Sequence, residues 1–191
     1  MRPLIIINNA AARAREAWPI VRARLEQSGI VFDFVETTAP GDAALRARAA
    51  YESGNSLVAV VGGDGTLSEA AGGYFNGLGD GGLRSINPNA ALSILPSGTG
   101  NDFARTLTGQ RKPLSFWIDN LVDYCRDPKE EKTRVIDVIR VRTDGFRRSL
   151  ICINASTLGL GGETASRVAA QGASMRKLSG ELRFVTAAMG A

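Results

Sequence analysis

Two stretches with the same internal order constrain this chain more than anything else in it. The apolar run 57–61 breaks at Gly62 and Gly63, and helical periodicity resumes at Thr66 with Leu67, Ala70, Ala71 and Tyr74 on one face. That order predicts a strand, a tight glycine turn and a helix. The run 92–95 reads as a second buried strand, and residues 96–105, Pro-Ser-Gly-Thr-Gly-Asn-Asp-Phe-Ala-Arg, again pass from glycine turn into helix. On successive parallel strands the two turns lie side by side at one edge of a sheet. Ligands bind there in open α/β sheets, because the first helical N–H groups lack backbone partners and the helix dipole favours anions. Gly62, Gly63 and Gly65 tolerate positive φ and put no Cβ between the backbone and a close-lying phosphate. The turn is shaped for a nucleotide.

Asp64 stands out in that turn, since a carboxylate repels phosphates unless a cation or a sugar hydroxyl lies between them. It points to a metal-bound or ribose-bound nucleotide, or else, with Thr66, it closes the turn and caps a helix. Composition narrows the chemistry further. The 191 residues contain no histidine, which removes imidazole bases and the Ser-His-Asp triad, and leaves carboxylates, backbone amides and metal as catalytic means. Cys125 and Cys152 alone cannot make a zinc site and read as thiols without a function. A net charge of +4 suits anionic ligands or an anionic membrane surface but is not a nucleic-acid signature. With no run of eighteen apolar residues and no signal peptide, the chain is expected in the cytoplasm.

Gly-Gly-Asp-Gly-Thr at 62–66, followed by Pro-Ser-Gly-Thr-Gly-Asn-Asp-Phe-Ala-Arg at 96–105, resembles the catalytic domain shared by diacylglycerol kinases, sphingosine and ceramide kinases and bacterial lipid kinases. The resemblance runs from about Leu4 to the C-terminus. It implies an ATP-dependent lipid kinase that transfers the γ-phosphoryl group of Mg-ATP to a lipid hydroxyl, with diacylglycerol giving phosphatidic acid as the first expectation. ATP and Mg2+ are the implied cofactors, and a lipid met peripherally at a membrane surface is the implied substrate. Oligomeric state stays open, a homodimer included.

Carried over residue by residue, the nucleotide contacts implied are Asn8, Thr37 (with Thr38 as the other candidate), Gly62, Gly63, Asp64, Gly65, Thr66, Leu67, Ser68, Glu69, Gly98, Thr99, Gly100, Asn101 and Arg105. Asp64 and Asp102 are the implied catalytic carboxylates, and Asp102 and Asp137 the implied metal network. Asn9 stands where the family usually has proline, Ala10-Ala11-Ala12-Arg13 replaces its glycine-rich loop, and Ser68 occupies a position that is often asparagine.

For architecture, the sequence predicts an α/β fold: a Rossmann-like three-layer nucleotide-binding domain with a parallel sheet over 1–131, then the start of a β-rich sandwich domain over 132–191. The expected elements are a strand at 3–7, a helix to residue 28 that begins or kinks at Pro19, a strand at 30–35, a helix at 43–52, helices through 101–107 and around 116–125, a charged linker at 127–132, and a hairpin of alternating residues from Val135 to Asn154 with a turn at 143–145. Residues 77–82 satisfy G-x-G-x-x-G but follow a helix and not a strand, so they read as a surface loop. A small-residue loop at 156–162 and helices near 163–170 and 180–189 close the chain.

Lipid kinases of this kind run on for roughly another hundred residues and supply there the acid that deprotonates the acceptor. The chain therefore reads as shortened or as completed by a partner, able to bind nucleotide with little or no turnover. The competing expectations are an NAD kinase-like enzyme, which shares the first motif but not Asn-Asp-Phe-Ala-Arg, a non-catalytic nucleotide-binding regulatory module, and a structural α/β domain with incidental glycine turns.

Overall fold

A computed structural model of the chain describes residues 1–76, 82–142 and 149–154. Continuous apolar runs become parallel strands and 3.6-periodic stretches become the helices between them, as the alternation β1 (Leu4–Ile7), α1 (Ala12–Gln27), β2 (Asp33–Glu36), α2 (Asp42–Glu52), β3 (Leu57–Gly62), α3 (Asp64–Gly73) shows. A short antiparallel pair, β4 (Phe75–Asn76) and β5 (Arg84–Ser85), leads to β6 (Ala91–Pro96), α4 (Asp102–Thr108) and α5 (Leu114–Arg126). A 3-10 turn at Glu130–Lys132 precedes the antiparallel hairpin β7 (Ile139–Arg142) and β8 (Ser149–Cys152). In space the chain divides into Met1–Asn154, which holds every described residue, and Ala155–Ala191. The expected features at 77–81, 143–145 and 155–191 lie outside the described residues.

The main sheet has the order β2-β1-β3-β6 and is parallel throughout. All six residues of β3 are buried, as a central strand covered on both faces requires. Helices α1 and α5 pack against each other, and so do α2 and α3. The right-handed crossover rule puts these pairs on opposite faces, because the chain moves outward through α1 and back through α2. This is the expected three-layer α/β fold.

Several boundaries differ from the sequence expectation, each for a local reason. Helix α1 starts at Ala12 and passes through Pro19 as one element, burying Ala14, Ala17, Val21 and Leu25. Trp18, beside that buried stripe, is half-buried and packs on Phe32 and Phe34. Strand β2 begins three residues late, since the Ile30 N–H belongs to the helix end, donating to the Leu25 carbonyl at 3.0 Å after Gly29 at φ +70°. The hairpin pairs only Ile139–Arg142 with Cys152–Ser149, so Val135 (95% exposed) and Asp137 lie before the ladder and not within it. Ser149 and Ile151 of β8 are buried, and the Ile153 N–H donates to Ser68 Oγ of α3 at 3.4 Å.

The closest helix contact rests on one glycine. A Cβ at Gly73 would overlap the Ala44 carbonyl oxygen and stand 2.9 Å from Ala47 Cβ, so α2 and α3 meet backbone to backbone. Tyr51 and Tyr74 stack edge-on beside that contact, ring centroids 5.2 Å apart.

Candidate functional site

Strand register sets the site. Ile7 lies opposite both Glu36 and Val61, and Gly62 opposite Pro96. Backbone bonds extend the ladder by one step: the N–H groups of Asn8, Thr37 and Ser97 donate to the carbonyls of Val61, Ile7 and Gly62 at 3.0, 2.8 and 2.9 Å. Asn8, Thr37, Gly62 and Ser97 therefore stand in a row along the carboxyl edge. The strand order reverses between β1 and β3, where α1 and α3 leave on opposite faces, and a crevice opens at such a switch point.

Both glycine turns reach this edge and touch. A Cβ on Gly98 would stand 2.5 Å from Gly63 Cα, and one on Gly63 would stand 3.1 Å from Gly98 Cα. Gly62 faces Thr66, whose Cβ is 2.9 Å from the place a Gly62 Cβ would take. None of the motif glycines has positive φ, contrary to the sequence expectation; they are needed for space and not for handedness. The left-handed residue is Asn101 (φ 54°, ψ 44°), whose Oδ1 accepts the Gly98 N–H at 2.8 Å while its Nδ2 donates to the Gly98 carbonyl at 3.2 Å. Asparagine tolerates that conformation because its short side chain bonds locally.

Asp64, half-buried, has both carboxylate oxygens engaged by backbone amides. Its Oδ2 accepts the Asp102 N–H at 2.9 Å and its Oδ1 the Phe103 N–H at 3.1 Å, so the acid of the first motif caps the helix of the second. That answers the repulsion raised by the sequence in a third way, since the amide dipoles of α4 share the carboxylate's charge. A parallel contact joins Glu69 to the β2–α2 loop, its Oε2 accepting the Gly41 N–H at 3.0 Å. Asn8 links β1 to α3 by donating from Nδ2 to Thr66 Oγ1 at 2.7 Å, while its Oδ1 accepts the Ala10 N–H at 3.1 Å.

The remaining expected residues divide. Thr37 is half-buried at the edge, whereas the hydroxyl and N–H of Thr38 are both committed to Asp42 Oδ2 at 3.2 and 3.0 Å. That N–H, with Arg46, holds the Asp42 carboxyl below the usual carboxylate range. Leu67 is buried and its N–H donates to the Gly63 carbonyl, so it offers nothing to a ligand. Ser68 faces β8. Arg105 pairs with Asp102 one turn back and lines a cavity between α4 and α5. Asp137 is exposed, and among the described residues no three acidic or cysteine side chains gather as a cation site.

Two residues at the edge join the site beyond those that the sequence assigns to it. Arg13, from the first turn of α1, donates to the carbonyls of Gly98 (3.1 Å) and Thr99 (3.4 Å), bringing a cation to the second turn. Ser97 is 6% exposed and its Oγ has no hydrogen-bond partner. An orphaned hydroxyl at the mouth of a ligand crevice is a group that a ligand can satisfy.

Residues 2–141 match the family described as the diacylglycerol kinase catalytic domain. The chain belongs to that family. A diacylglycerol kinase of Bacillus subtilis (strain 168) is 31% identical to it over 108 residues, covering 56% of this chain and 33% of the relative. A "Probable lipid kinase YegS-like" protein of Xanthomonas campestris pv. campestris (strain 8004) is 29% identical over 175 residues, covering 92% of this chain and 50% of the relative. The chain thus spans a third to a half of the length of these curated relatives. A crystal structure of a diacylglycerol kinase from Bacillus anthracis str. Sterne aligns at 25% identity with a TM-score of 0.49, over 64% of this chain and 39% of that one. Within this diacylglycerol kinase catalytic domain, both glycine motifs fall inside the matched span. No helix among the described residues is long and apolar enough to cross a membrane.

Proposed function

We propose that this chain is the nucleotide-binding part of a lipid kinase that uses ATP, with diacylglycerol as acceptor and phosphatidic acid as product. The observation that carries the nucleotide reading is the contact between Gly63 and Gly98, two turns so close that a single Cβ would force them apart, at the sheet's switch point. Backbone N–H groups in such a cradle bind phosphate oxygens without reorganising when charge develops on them. Family membership and the names of the relatives support the kinase and the lipid acceptor.

In this reading the phosphates lie over residues 62–66 and 97–100, flanked by Asn8, Thr37 and Arg13. Arg13 supplies a positive charge, and the Ser97 hydroxyl gains the partner it lacks. Asp64 acts as a positioning residue, fixing the second turn against the first through α4. Asp102 and Asp137 remain the acids closest in the sequence pattern to a metal role. Because magnesium keeps several waters and takes only one or two carboxylates beside substrate phosphates, a dedicated protein cage is unnecessary. When bound, magnesium would supply neutralisation of the phosphate charge, with Asp102 or Asp137 as the carboxylate that would hold it. The base for the acceptor hydroxyl is not among the residues named, so binding and transfer are tested apart.

The binding test is calorimetric titration with a non-hydrolysable ATP analogue and Mg2+, beside Arg13→Ala and with NAD as a control ligand. Saturable binding of the analogue, weakened in Arg13→Ala and absent with NAD, is expected. Binding of NAD in place of ATP would move the reading to an NAD kinase-like enzyme. Transfer is read with labelled ATP on vesicles containing diacylglycerol, and nucleotide binding with no labelled phosphatidic acid would favour a regulatory module.

A further inference from the structure

A second concave feature lies between α4 and α5, a cavity of about 240 Å³ with room for a phosphate group. Arg105, Arg111 and Lys112 line it over a floor that includes Pro96, Leu114 and Trp117, and no acidic residue is among its lining. Arg105 has Asp102 as its carboxylate, on its own helix. Arg111 and Lys112 have none among the described residues, and the Lys112 ammonium rests 5.4 Å from the centre of the Phe116 ring. Cations that line one small cavity without carboxylates favour an anion there.

The start of α5 and Trp117 both line this cavity. Helix α5 begins at Leu114 behind Pro113 with no side-chain cap; the Phe116 N–H donates to the Pro113 carbonyl at 3.2 Å, which leaves the Leu114 and Ser115 N–H groups without an acceptor in the helix. Trp117 is 8% exposed and its buried indole N–H has no acceptor. An indole N–H is a donor only, and a buried donor without an acceptor is uncommon enough to need a reason. Cations, a free helix N-terminus and an unmatched donor share one preference.

We propose that the α4–α5 cavity binds a phosphate monoester or inorganic phosphate, as a site distinct from the nucleotide crevice. The cavity takes no residue from the first glycine motif; from the second it shares Pro96, Asn101, Ala104 and Arg105, and its cations Arg111 and Lys112 lie beyond both motifs. A dianion of tetrahedral shape fits a small cavity walled by guanidinium and ammonium groups, where planar forks and point charges both find oxygens. The source is a free phosphate or a phosphorylated headgroup, which present the same chemistry.

Trp117 is the reporter. A Trp18→Phe background leaves it as the sole tryptophan, and its emission is followed during titration at constant ionic strength with inorganic phosphate, glycerol 3-phosphate, and phosphatidylcholine vesicles with and without phosphatidic acid. Saturable change is expected, with an apparent Kd raised at least about ten-fold in Arg111→Gln/Lys112→Gln, the loss of hydrogen bonds to a charged group being of that size. Arg22→Gln/Arg24→Gln removes the same charge on α1 and should bind as the parent does. Arg22, Arg24 and Arg111 are exposed and Lys112 is half-buried, so folding is checked by unchanged thermal unfolding. A response to the soluble ligands identifies free phosphate, and one to phosphatidic acid vesicles alone identifies a headgroup. No saturable response to any probe, or equal weakening in both double variants, overturns the site. The ATP analogue is titrated on the same samples: Arg111→Gln/Lys112→Gln should bind it normally, and mutual exclusion of phosphate and analogue would show the cavity to be part of the nucleotide crevice and overturn its distinctness.

Discussion

Substituting Gly98 by alanine tests whether the contact between the two turns is the structural basis of the site. The added Cβ would meet Gly63 Cα at 2.5 Å, Asn101 Oδ1 at 2.8 Å and Gly63 N at 3.3 Å. Two of these three atoms are backbone and cannot rotate away. Carbon atoms rest about 3.5–4.0 Å apart, so the turns must separate by about 1 Å, or Gly98 must give up its bonds to Asn101. Overpacking of this kind costs about 1–3 kcal/mol; at ~2 kcal/mol the Tm of a chain of this length falls by about 4–8 °C. Displaced amides would also weaken nucleotide binding by about ten-fold or more, since each lost bond to a charged group is worth about 1.5–3 kcal/mol. The control is Gly65→Ala. Nothing lies within 4 Å of its Cβ position and its backbone is helical, so alanine there should stabilise the free protein by about 0.4–1 kcal/mol. If phosphates approach that turn, the same change still weakens nucleotide binding. Differential scanning fluorimetry and calorimetry on the two variants read both effects. Gly98→Ala as stable as the parent, or nucleotide affinity untouched in both variants, would refute the reasoning.

Three further outcomes follow from the geometry. Asp64→Ala leaves the Asp102 and Phe103 amides uncapped and should cost about 1–2 kcal/mol in urea unfolding, with Asp64→Asn less damaging because one acceptor oxygen remains; equal stability of parent and Asp64→Ala would show that the link across the turns is idle. Gly73→Ala should destabilise strongly through its overlap with the Ala44 carbonyl, whereas Gly72→Ala, whose Cβ would lie 3.9 Å from Ile151 Cβ, should be neutral or stabilising; comparable unfolding midpoints for the two would contradict the close approach of α2 and α3. The Asp42 carboxyl titrates below its ordinary value of 3.8 in the fold, chiefly through the Thr38 N–H, so the unfolded chain binds the proton more readily. Its contribution is complete above that value and fades as pH falls through the lower folded one. The Tm difference between parent and Asp42→Asn should therefore be constant at neutral pH and shrink below about pH 4; a difference that widens on acidification would reverse the sign.

The strands and turns were readable because their signals are local. Residues 57–62 are apolar throughout and end at a glycine, and 91–96 are apolar but for Ser93 and lead to the glycine turn at Gly98, which leaves few alternatives to buried parallel strands before a ligand edge. Asp64 could be singled out, but not its task. Its partners are backbone amides 38 and 39 positions away, and an amide has no identity in a sequence. Glu69 and Gly41 share that difficulty. Arg13 looked like one of many arginines on a helix, and only the sheet's register brings it to Gly98 and Thr99. Asp137 was placed in a strand by alternation alone, which continues in sequence beyond the last residue that finds a partner to pair with.

Helix α3 holds Asn8 through Thr66, α4 through Asp64 and the β2–α2 loop through Glu69. Three loops that could each move alone are thereby hung on one rigid rod. Their conformational entropy is surrendered once, when the chain folds, and a ligand arriving later has little left to freeze. An edge assembled in this way works as a finished mould, whose selectivity is decided by shape before contact and not by adjustment afterwards.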